Sequence, residues 1–473
     1  MAAAAARPAP GGRYWVVEGE AYDLSGFAHP GGLELLLWSS HPSCRSNRDI
    51  TIAVNTYHKN PKVQKKILER YKVQFPKDAV KRFMGVPRFL VKADFDAARD
   101  VPTYDFGGDD LLSDIQAKVQ DPAFQREVRR MDDLFDLTAT ALVGTYLALL
   151  AGWCGGAVPW QVAVPAFVAL RTAIAGSGHY FIHRKKPHYG DVAFDVNYVG
   201  VCYTAQDGHV LLHHGYTLSD ADVKRGFFGG MLGVPRLLRL PVHSLHKLAH
   251  LLTGTIVRGI DLELEPDNEE HQGVAKHLRQ TQKRACHWHF FALHFWLRIE
   301  LLMALKTGHG WSWLAQFLCT VWINTCLVVS SHDFTATREP ETRDWAKYQL
   351  ANAHDISITG NRWVDVWLSA GLSPHRAHHL LPYQKSGYAN VFSEQLIRAC
   401  VEKRGGEWKQ PLGFATEIFP MVFKRNFAVP ACDPVTQLPL YADGAWLEEH
   451  LSASSLKYCA YYILTGFIGL GSI

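Results

Sequence analysis

Residues 311–330 read WSWLAQFLCTVWINTCLVVS and contain no charged side chain. A helix needs about 20 predominantly apolar residues to span the hydrocarbon core of a bilayer, so this stretch predicts a membrane-spanning helix. Residues 134–153 and 157–178 meet the same requirement with one charge each. Asp136 lies at the edge of the first stretch, and Arg171 lies near the end of the second, where its long side chain is expected to reach the headgroups.

A fourth candidate, residues 286–305, is weaker because Arg298 and Glu300 lie within it. The four segments predict two hairpins, and an even number of spans returns the chain to its starting side. The segments expected on that side are residues 1–133, 179–285 and 331–457. Basic residues beside the spans predict that this side is cytosolic; they are Arg184, Lys185, Lys283 and Arg284.

The composition narrows the class of protein. The chain has 473 residues, of which 48% are hydrophobic and 20% charged, which favours a large core over disorder. A net charge of +4 is too small to indicate a nucleic-acid partner. The nine cysteines form no CxxC pair, so reduced thiols are expected. The unusual feature is the number of histidines, which is 24.

One histidine lies in residues 22–32, which read YDLSGFAHPGG. His29 is expected on a tight turn, where glycine lets a flat ligand approach the backbone. A second imidazole is predicted to be His58, which ends residues 49–58, DITIAVNTYH. Two axial histidines leave haem iron without an open position, which suits electron transfer. His41 is a rival second ligand, but it lies too close behind His29 in the chain.

This N-terminal stretch resembles a cytochrome b5 domain. The resemblance includes the strand-like residues 14–17, YWVV, and the turn at Glu18 and Gly19, and it implies haem b. The separation of His29 from His58 exceeds the usual separation in that family. We assign the excess to a loop-like insertion at residues 41–48.

Three histidine clusters are expected on the cytosolic side. They read HYFIH at 179–183, HVLLHH at 209–214 and HRAHH at 375–379. The first is expected to continue the preceding helix, on which residues four apart face the same way. In the other two, the leading histidine shares a helical face with one of the pair, and the adjacent ring turns toward a neighbouring metal. The pattern predicts a two-metal site with the ligands His179, His183, His209, His213, His214, His375, His378 and His379, and imidazole suits Fe, Cu and Zn.

These clusters resemble the histidine boxes of integral-membrane fatty acid desaturases and hydroxylases. Residues 211–217, LLHHGYT, and the N-terminal haem domain look most like front-end desaturases. The third box departs from that subgroup, because it begins with His375 where those enzymes commonly carry Gln. The resemblance implies two non-haem irons, O₂, an acyl-lipid or acyl-CoA substrate, and electrons from NADH through a separate cytochrome b5 reductase.

Further histidines have less specific assignments. The family usually has an accessory ligand in the region of His332, which is therefore a candidate ligand. His354 is expected outside the ligand set, with Asp355 orienting a ligand ring, and Asn324 as a buried polar group or a water-mediated contact. His243, His246 and His250 share a helical face in residues 227–252, which are expected to lie on the membrane interface.

Together these expectations give an α+β cytochrome b5-like N-terminal domain followed by an all-α integral membrane desaturase domain with about four transmembrane helices. The predicted divisions are a disordered leader at 1–12, a haem-binding domain at 13–75, a linker or interfacial segment at 76–130, a membrane desaturase domain at 131–425 and a tail at 426–473 with a short apolar segment. The expected location is the endoplasmic reticulum, with the haem domain and active site facing the cytosol.

Alternatives remain open at this stage. A sphingolipid desaturase or a fatty acyl hydroxylase would use the same boxes. A membrane haem electron carrier without oxidase activity would hold one haem and no non-haem iron. A zinc hydrolase is disfavoured because no His-Glu-x-x-His is present.

Overall fold

A computed structural model describes most of the chain. The described residues are 15–30, 50–74, 102–184, 193, 195–198, 209–210, 213–219, 222, 231–257, 288–330, 332, 342–433 and 438–469. Several predictions fall outside them, namely those for the leader 1–12, the first part of the 76–130 linker, His41 with residues 41–48, Lys185, Lys283 and Arg284.

Helices dominate the described residues. They are α1 Thr51–Thr56, α2 Pro61–Leu68, α3 Leu111–Val119, α4 Pro122–Cys154, α5 Trp160–Phe181, α6 His214–Tyr216, α7 Arg239–Ala249, α8 Trp288–Lys306, α9 Gly310–Ser330, α10 Trp345–Asn352, α11 Arg362–Leu368, α12 His375–Leu380, α13 Gly387–Lys403, α14 Phe419–Ala428, α15 Trp446–Leu451 and α16 Ala453–Phe467. Short 3-10 and π turns lie at Glu69–Tyr71, His250–Gly254 and Phe414–Ile418. The strands are β1 Trp15–Val17, β2 Glu20–Tyr22, β3 Ile356–Ser357 and β4 Leu412–Gly413.

The N-terminal unit, defined here as residues 15–30 and 50–74, is built on a strand pair. Strands β1 and β2 are antiparallel, and Glu18 and Gly19 between them have φ angles of 53° and 81°. Two successive residues with positive φ form the tight turn that matches the twist of a hairpin, so the predicted strand and turn are confirmed. Trp15, Leu24 and Val54 are buried between this hairpin and helices α1 and α2.

Helix α4 begins where its sequence predicts a start. The side chain of Asp121 accepts a hydrogen bond from the backbone of Ala123, and Pro122 occupies the first turn, a position that tolerates its missing N–H. The helix continues without a break through the predicted division at residue 130. Helices α4, α5, α8 and α9 share an apolar core that includes Phe167 and Phe317.

Two of the described helices are long and apolar enough to cross a membrane. They are Pro122–Cys154 and the Gly310–Val328 part of α9. The other two predicted spans are also helical, as α5 and α8, and their passage through a membrane stays a prediction.

The expectation that Arg171 reaches the headgroups is wrong. Its side chain is buried, and its guanidinium lies 2.6 Å from the carboxylate of Glu300 on α8. It also donates to the side chain of Gln316 at 3.1 Å and to the carbonyl of Val196 at 3.0 Å. A buried charge is tolerated when it is paired and hydrogen-bonded, so the charges of two predicted spans compensate each other.

The C-terminal helix α16 covers part of the helical body. It packs on α7, where a ring nitrogen of His246 donates to the carbonyl of Tyr462 at 2.7 Å and His243 contacts the hydroxyl of the same tyrosine. Both of these rings and that of His250 are buried. The three histidines therefore lie beneath the chain's own C-terminal helix, and not on an open interfacial surface as expected.

Candidate metal centre

One group of imidazoles, called here the first cluster, gathers residues from all three sequence clusters. It consists of His179, His183, His209 and His378, whose candidate ligand atoms lie within 4.8 Å of one another. His179 lies in the last turn of α5. His183 lies beyond the end of that helix, because the chain tightens there and the backbone N–H of His183 bonds the carbonyl of Tyr180, three residues back. The prediction that the helix continues through His183 is therefore wrong, although both rings reach the same cluster.

A second group, called the second cluster, lies beside the first. It consists of His213, His332, His375 and His379, again with ligand atoms within 4.8 Å of one another. His375 and His379 are four residues apart on α12 and share a face, as the spacing predicts. The neighbouring His378 turns into the first cluster, so the adjacent histidines of this box serve two different groups.

His214 lies between the two clusters. Its Nε2 atom is 3.3 Å from that of His209, and its ring stacks on that of His379 with centroids 4.2 Å apart. The sequence predicts that His209 shares a face with one of the pair, and the structure brings it to His214 while His213 joins the other cluster. The reason is local: residues 209, 210 and 213 have the wider π conformation, in which residues five apart come together.

The spacing of ring nitrogens suits a shared cation. The Nε2 atoms of His179 and His209 are 2.9 Å apart, and those of His213 and His332 are 2.8 Å apart. Two nitrogens bound to one metal at about 2.1 Å, with a right angle between the bonds, lie about 3 Å apart. Each cluster therefore offers several donors at the separation that metal ligation produces.

Buried acceptors orient the rings of the second cluster. The Nδ1 atom of His213 lies 2.9 and 3.1 Å from the carboxylate oxygens of Asp222. The Nδ1 atom of His379 lies 2.8 Å from the side-chain oxygen of Gln349. His332 makes the equivalent bond, at 2.8 Å, to the carbonyl of Asn352. Because these partners only accept, each Nδ1 carries the proton and each Nε2 keeps its lone pair for a metal.

Sequence reasoning missed Asp222 and Gln349. Asp222 lies nine residues after His213 and Gln349 lies on α10, well before the third box, so no motif marks either one. Gln349 also donates to the carbonyl of His214 at 3.1 Å and accepts from the hydroxyl of Thr217 at 2.7 Å. It therefore connects the second and third sequence clusters.

Burial disfavours the charged form of four of these imidazoles. Desolvation, followed by repulsion from neighbouring imidazoles, lowers the pKa of His214, His378 and His379 well below the usual value. The same causes lower the pKa of His332. Neutral imidazole is the form that binds a metal cation, so the lowered pKa values favour metal binding at these four rings.

The carboxylate of Asp355 binds the backbone of the third histidine box. Its carboxylate accepts a hydrogen bond from the backbone N–H of Arg376 at 2.9 Å, at the first turn of α12, and lies 3.3 Å from the guanidinium of Arg362. The predicted role was to orient a ligand ring, whereas this contact holds the helix that carries the ligands. His354 belongs to neither cluster. Asn324 is a buried polar group, as predicted, and bonds the side chain of Thr172 at 3.0 Å.

The two candidate haem ligands face each other in the N-terminal unit. The ring centroids of His29 and His58 are 6.1 Å apart. The Nδ1 atom of His58 lies 3.0 Å from the carbonyl of Val54, which leaves Nε2 as its available donor. Two imidazoles bound to opposite sides of one metal, at about 2 Å per bond, have centroids about 6 Å apart. The described residues therefore fit a haem held by two histidines.

The segment that carries this centre matches a known protein family. Residues 158–388 match the family model for fatty acid desaturase. The chain thus contains a fatty acid desaturase domain. The matched segment includes both imidazole clusters and His214, while the N-terminal unit lies outside it.

The family match fixes the broad character of the protein. Fatty acid desaturases are membrane-bound oxidoreductases of lipid metabolism with acyl substrates, and the two clusters are compatible with the non-haem di-iron centre that the family typically uses. No curated protein and no solved structure matches the chain.

Proposed function

We propose that this protein is an O₂-dependent fatty acyl desaturase that forms a double bond in a long acyl chain. The observation that carries the proposal is the partition of the histidines, within a desaturase domain, into two adjacent groups of four with His214 between them. A single structural or zinc site needs about four ligands. Two adjacent groups of four imidazoles are the arrangement expected for two metals.

The proposed roles follow from the contacts. The first and second clusters would each hold one iron, and His214 lies between the two clusters. When bound, a pair of non-haem irons supplies the O₂ activation that cleavage of an unactivated C–H bond requires. The chain itself orients the Nε2 atoms, through Asp222 and Gln349 on the second cluster, and its buried rings keep water from the centre.

The N-terminal unit is proposed to deliver the electrons. His29 and His58 would hold a haem b with both axial positions filled, which supplies one-electron transfer without binding O₂. The electrons would come from NADH through a separate cytochrome b5 reductase. The proposed location is the endoplasmic reticulum membrane, with this unit and the metal centre on the cytosolic side.

The test is expression in yeast supplied with a panel of fatty acids, with double bonds located by mass spectrometry. We expect a new double bond with the unaltered protein and none with His213→Ala, because that change removes a member of the second cluster. His309→Ala is the matched control, since His309 lies in the turn between α8 and α9 and its ring contacts Trp153. Membrane insertion and haem absorbance are measured for each variant.

The products also separate the alternatives. A hydroxylated acyl chain instead of a double bond would assign the protein to the hydroxylases. Desaturation retained by His213→Ala would refute the proposed centre. Purified protein with one haem and no non-haem iron would favour the electron carrier.

A further inference from the structure

The segment that carries His58 lies against the metal centre. Tyr57, the preceding residue, donates a hydrogen bond from its hydroxyl to the carbonyl of Val210, which directly follows His209 of the first cluster. The ring of Tyr57 is nearly parallel to that of His183, with centroids 6.4 Å apart and planes at 14°. This separation is within the range in which aromatic rings interact. Tyr57 therefore contacts two of the segments that form the first cluster.

Gln116 of α3 and Gln120, which caps that helix, hold the backbone on either side of this tyrosine. The side-chain amide of Gln116 donates to the carbonyl of Asn55 at 2.7 Å and approaches that of His58 at 3.5 Å. Gln120 donates to the carbonyl of Lys59 at 3.3 Å. Because these bonds engage main-chain oxygens, they fix the course of the segment and not only its side chains.

Apolar and cation–π contacts add to the interactions between this segment and the surroundings of the metal centre. Ile52 of α1 lies over Gly215, where an added Cβ atom would be 3.7 Å from its side chain. Gly215 directly follows His214, so this contact is also beside the centre. The ammonium of Lys59 lies 5.8 Å from the centre of the Tyr383 ring, close enough for a cation–π interaction. We call residues 52–60 and their partners at 116–125, 209–210, 213–215 and 383 the docking surface.

We propose that Tyr57 is a positioning residue that fixes the candidate haem ligand His58 beside the candidate iron ligand His183. The proposal rests on the proposed function and adds the surface through which the two sites are joined. A tether alone raises the effective concentration of a neighbouring unit, but it does not fix a separation. The hydroxyl bond, the ring contact and the main-chain bonds of the docking surface do.

The experiment uses full-length protein in lipid nanodiscs. Tyr57→Ala removes the ring contact and the hydroxyl, whereas Tyr57→Phe keeps the ring. Gln116→Ala weakens the same surface from the opposite side. Lys65→Ala is the matched control, because Lys65 lies on α2 and pairs with Glu18 inside the N-terminal unit.

Three quantities are measured for every variant. Hydrogen exchange of α3 reports whether the surface stays closed. Haem absorbance and iron content report whether both groups are still bound. The rate at which reduced haem is reoxidised in the presence of O₂ and an acyl substrate reports whether the two sites remain coupled.

We expect Tyr57→Ala to exchange faster in α3 and to reoxidise its haem about tenfold or more slowly, because an undocked unit reaches the centre only by tether-limited encounters. Haem and iron content should stay at wild-type levels. Gln116→Ala should change in the same direction, Tyr57→Phe should be intermediate, and Lys65→Ala should match wild type.

Unchanged reoxidation in both Tyr57→Ala and Gln116→Ala would overturn the proposal, even if exchange increases, because the tyrosine would then be a packing residue only. If Tyr57→Ala loses haem through misfolding, Tyr57→Phe and Gln116→Ala decide the question. Failure of the proposed function is distinct, since it would be seen in wild-type protein that lacks non-haem iron or forms no double bond. Exchange would then still decide the docking role of Tyr57.

Discussion

Removing the carboxylate of Asp222 should weaken one half of the metal centre selectively. The side chains of Asp222 and His213 are 0% and 2% exposed, so water does not replace the bond between them. The same carboxylate accepts a hydrogen bond from the backbone of Leu218 at 2.8 Å. Asp222→Ala thus leaves the buried Nδ1–H of His213 and the part-buried backbone N–H of Leu218 without an acceptor.

The magnitude follows from these bonds. An unsatisfied buried donor costs about 1–3 kcal/mol, and the part-buried N–H of Leu218 adds less because water can reach it, so folding stability should fall by roughly 1–4 kcal/mol. Loss of a partner that orients a metal-binding histidine typically lowers metal affinity about 10–100-fold. This loss should fall on the second cluster, which contains His213, and spare the first. Asp222→Asn should have a smaller effect because it keeps one oxygen acceptor. Some loss should remain, because a neutral acceptor bonds more weakly than a carboxylate.

The assay is iron content per chain during a timed challenge with a chelator, alongside thermal unfolding. The iron content of the Asp222→Ala variant should fall from two per chain toward one, while wild type should retain both irons. Asp365→Asn is the matched control, because Asp365 is equally buried and accepts from the backbone of Thr359 at 2.8 Å, away from both clusters. It should lower stability without selective iron loss. The reasoning is refuted if Asp222→Ala holds both irons as tightly as wild type, or if Asp365→Asn loses iron in the same way.

Three further changes test other parts of the structure. Gln349→Leu removes the acceptor of His379, whereas Gln349→Glu keeps an oxygen there. The leucine variant should release iron faster, and equal release from both variants would argue against an orienting role for Gln349. Gly176→Ala would bring its Cβ within 2.7 Å of backbone and should lower stability by about 1–3 kcal/mol. Gly144→Ala meets open space in α4 and should raise stability by about 0.5–1 kcal/mol. Thermal unfolding compares the two glycine variants, and the same shift in both would contradict the close packing around Gly176. His58→Ala should lose haem absorbance but keep its non-haem iron, and joint loss of both would contradict two separate sites.

Local sequence was sufficient where structure depends on near neighbours. The hairpin at Glu18 and Gly19 follows from a short alternating strand and turn residues that accept positive φ. Helices at all four predicted spans follow from long runs with few charges. Spacing predicted eight of the candidate metal ligands, because histidines three to five residues apart are conspicuous in any sequence, whereas His332 became a candidate through the resemblance to the family.

The sequence was insufficient where a residue's surroundings come from distant parts of the chain. The expectation that Arg171 reaches the headgroups is wrong because its partner, Glu300, is 129 residues away in the chain. Local sequence does not show that such a partner exists. Spacing left open which of His213 and His214 shares a face with His209, and a π conformation brings His209 to His214. Asp222 and Gln349 carry no motif, since an acceptor for a ring nitrogen needs only an oxygen in the right place.

By itself, then, the sequence determined which segments are helical, where the hairpin turns and which imidazoles are available for a metal. The tertiary structure alone decided how nine histidines divide into two clusters with His214 between them, which acceptors orient their rings, and that Tyr57 lies against His183. The physical reason is range: backbone conformation and helical periodicity depend on adjacent residues, whereas a ligand set and an internal interface depend on how helices pack across the whole chain.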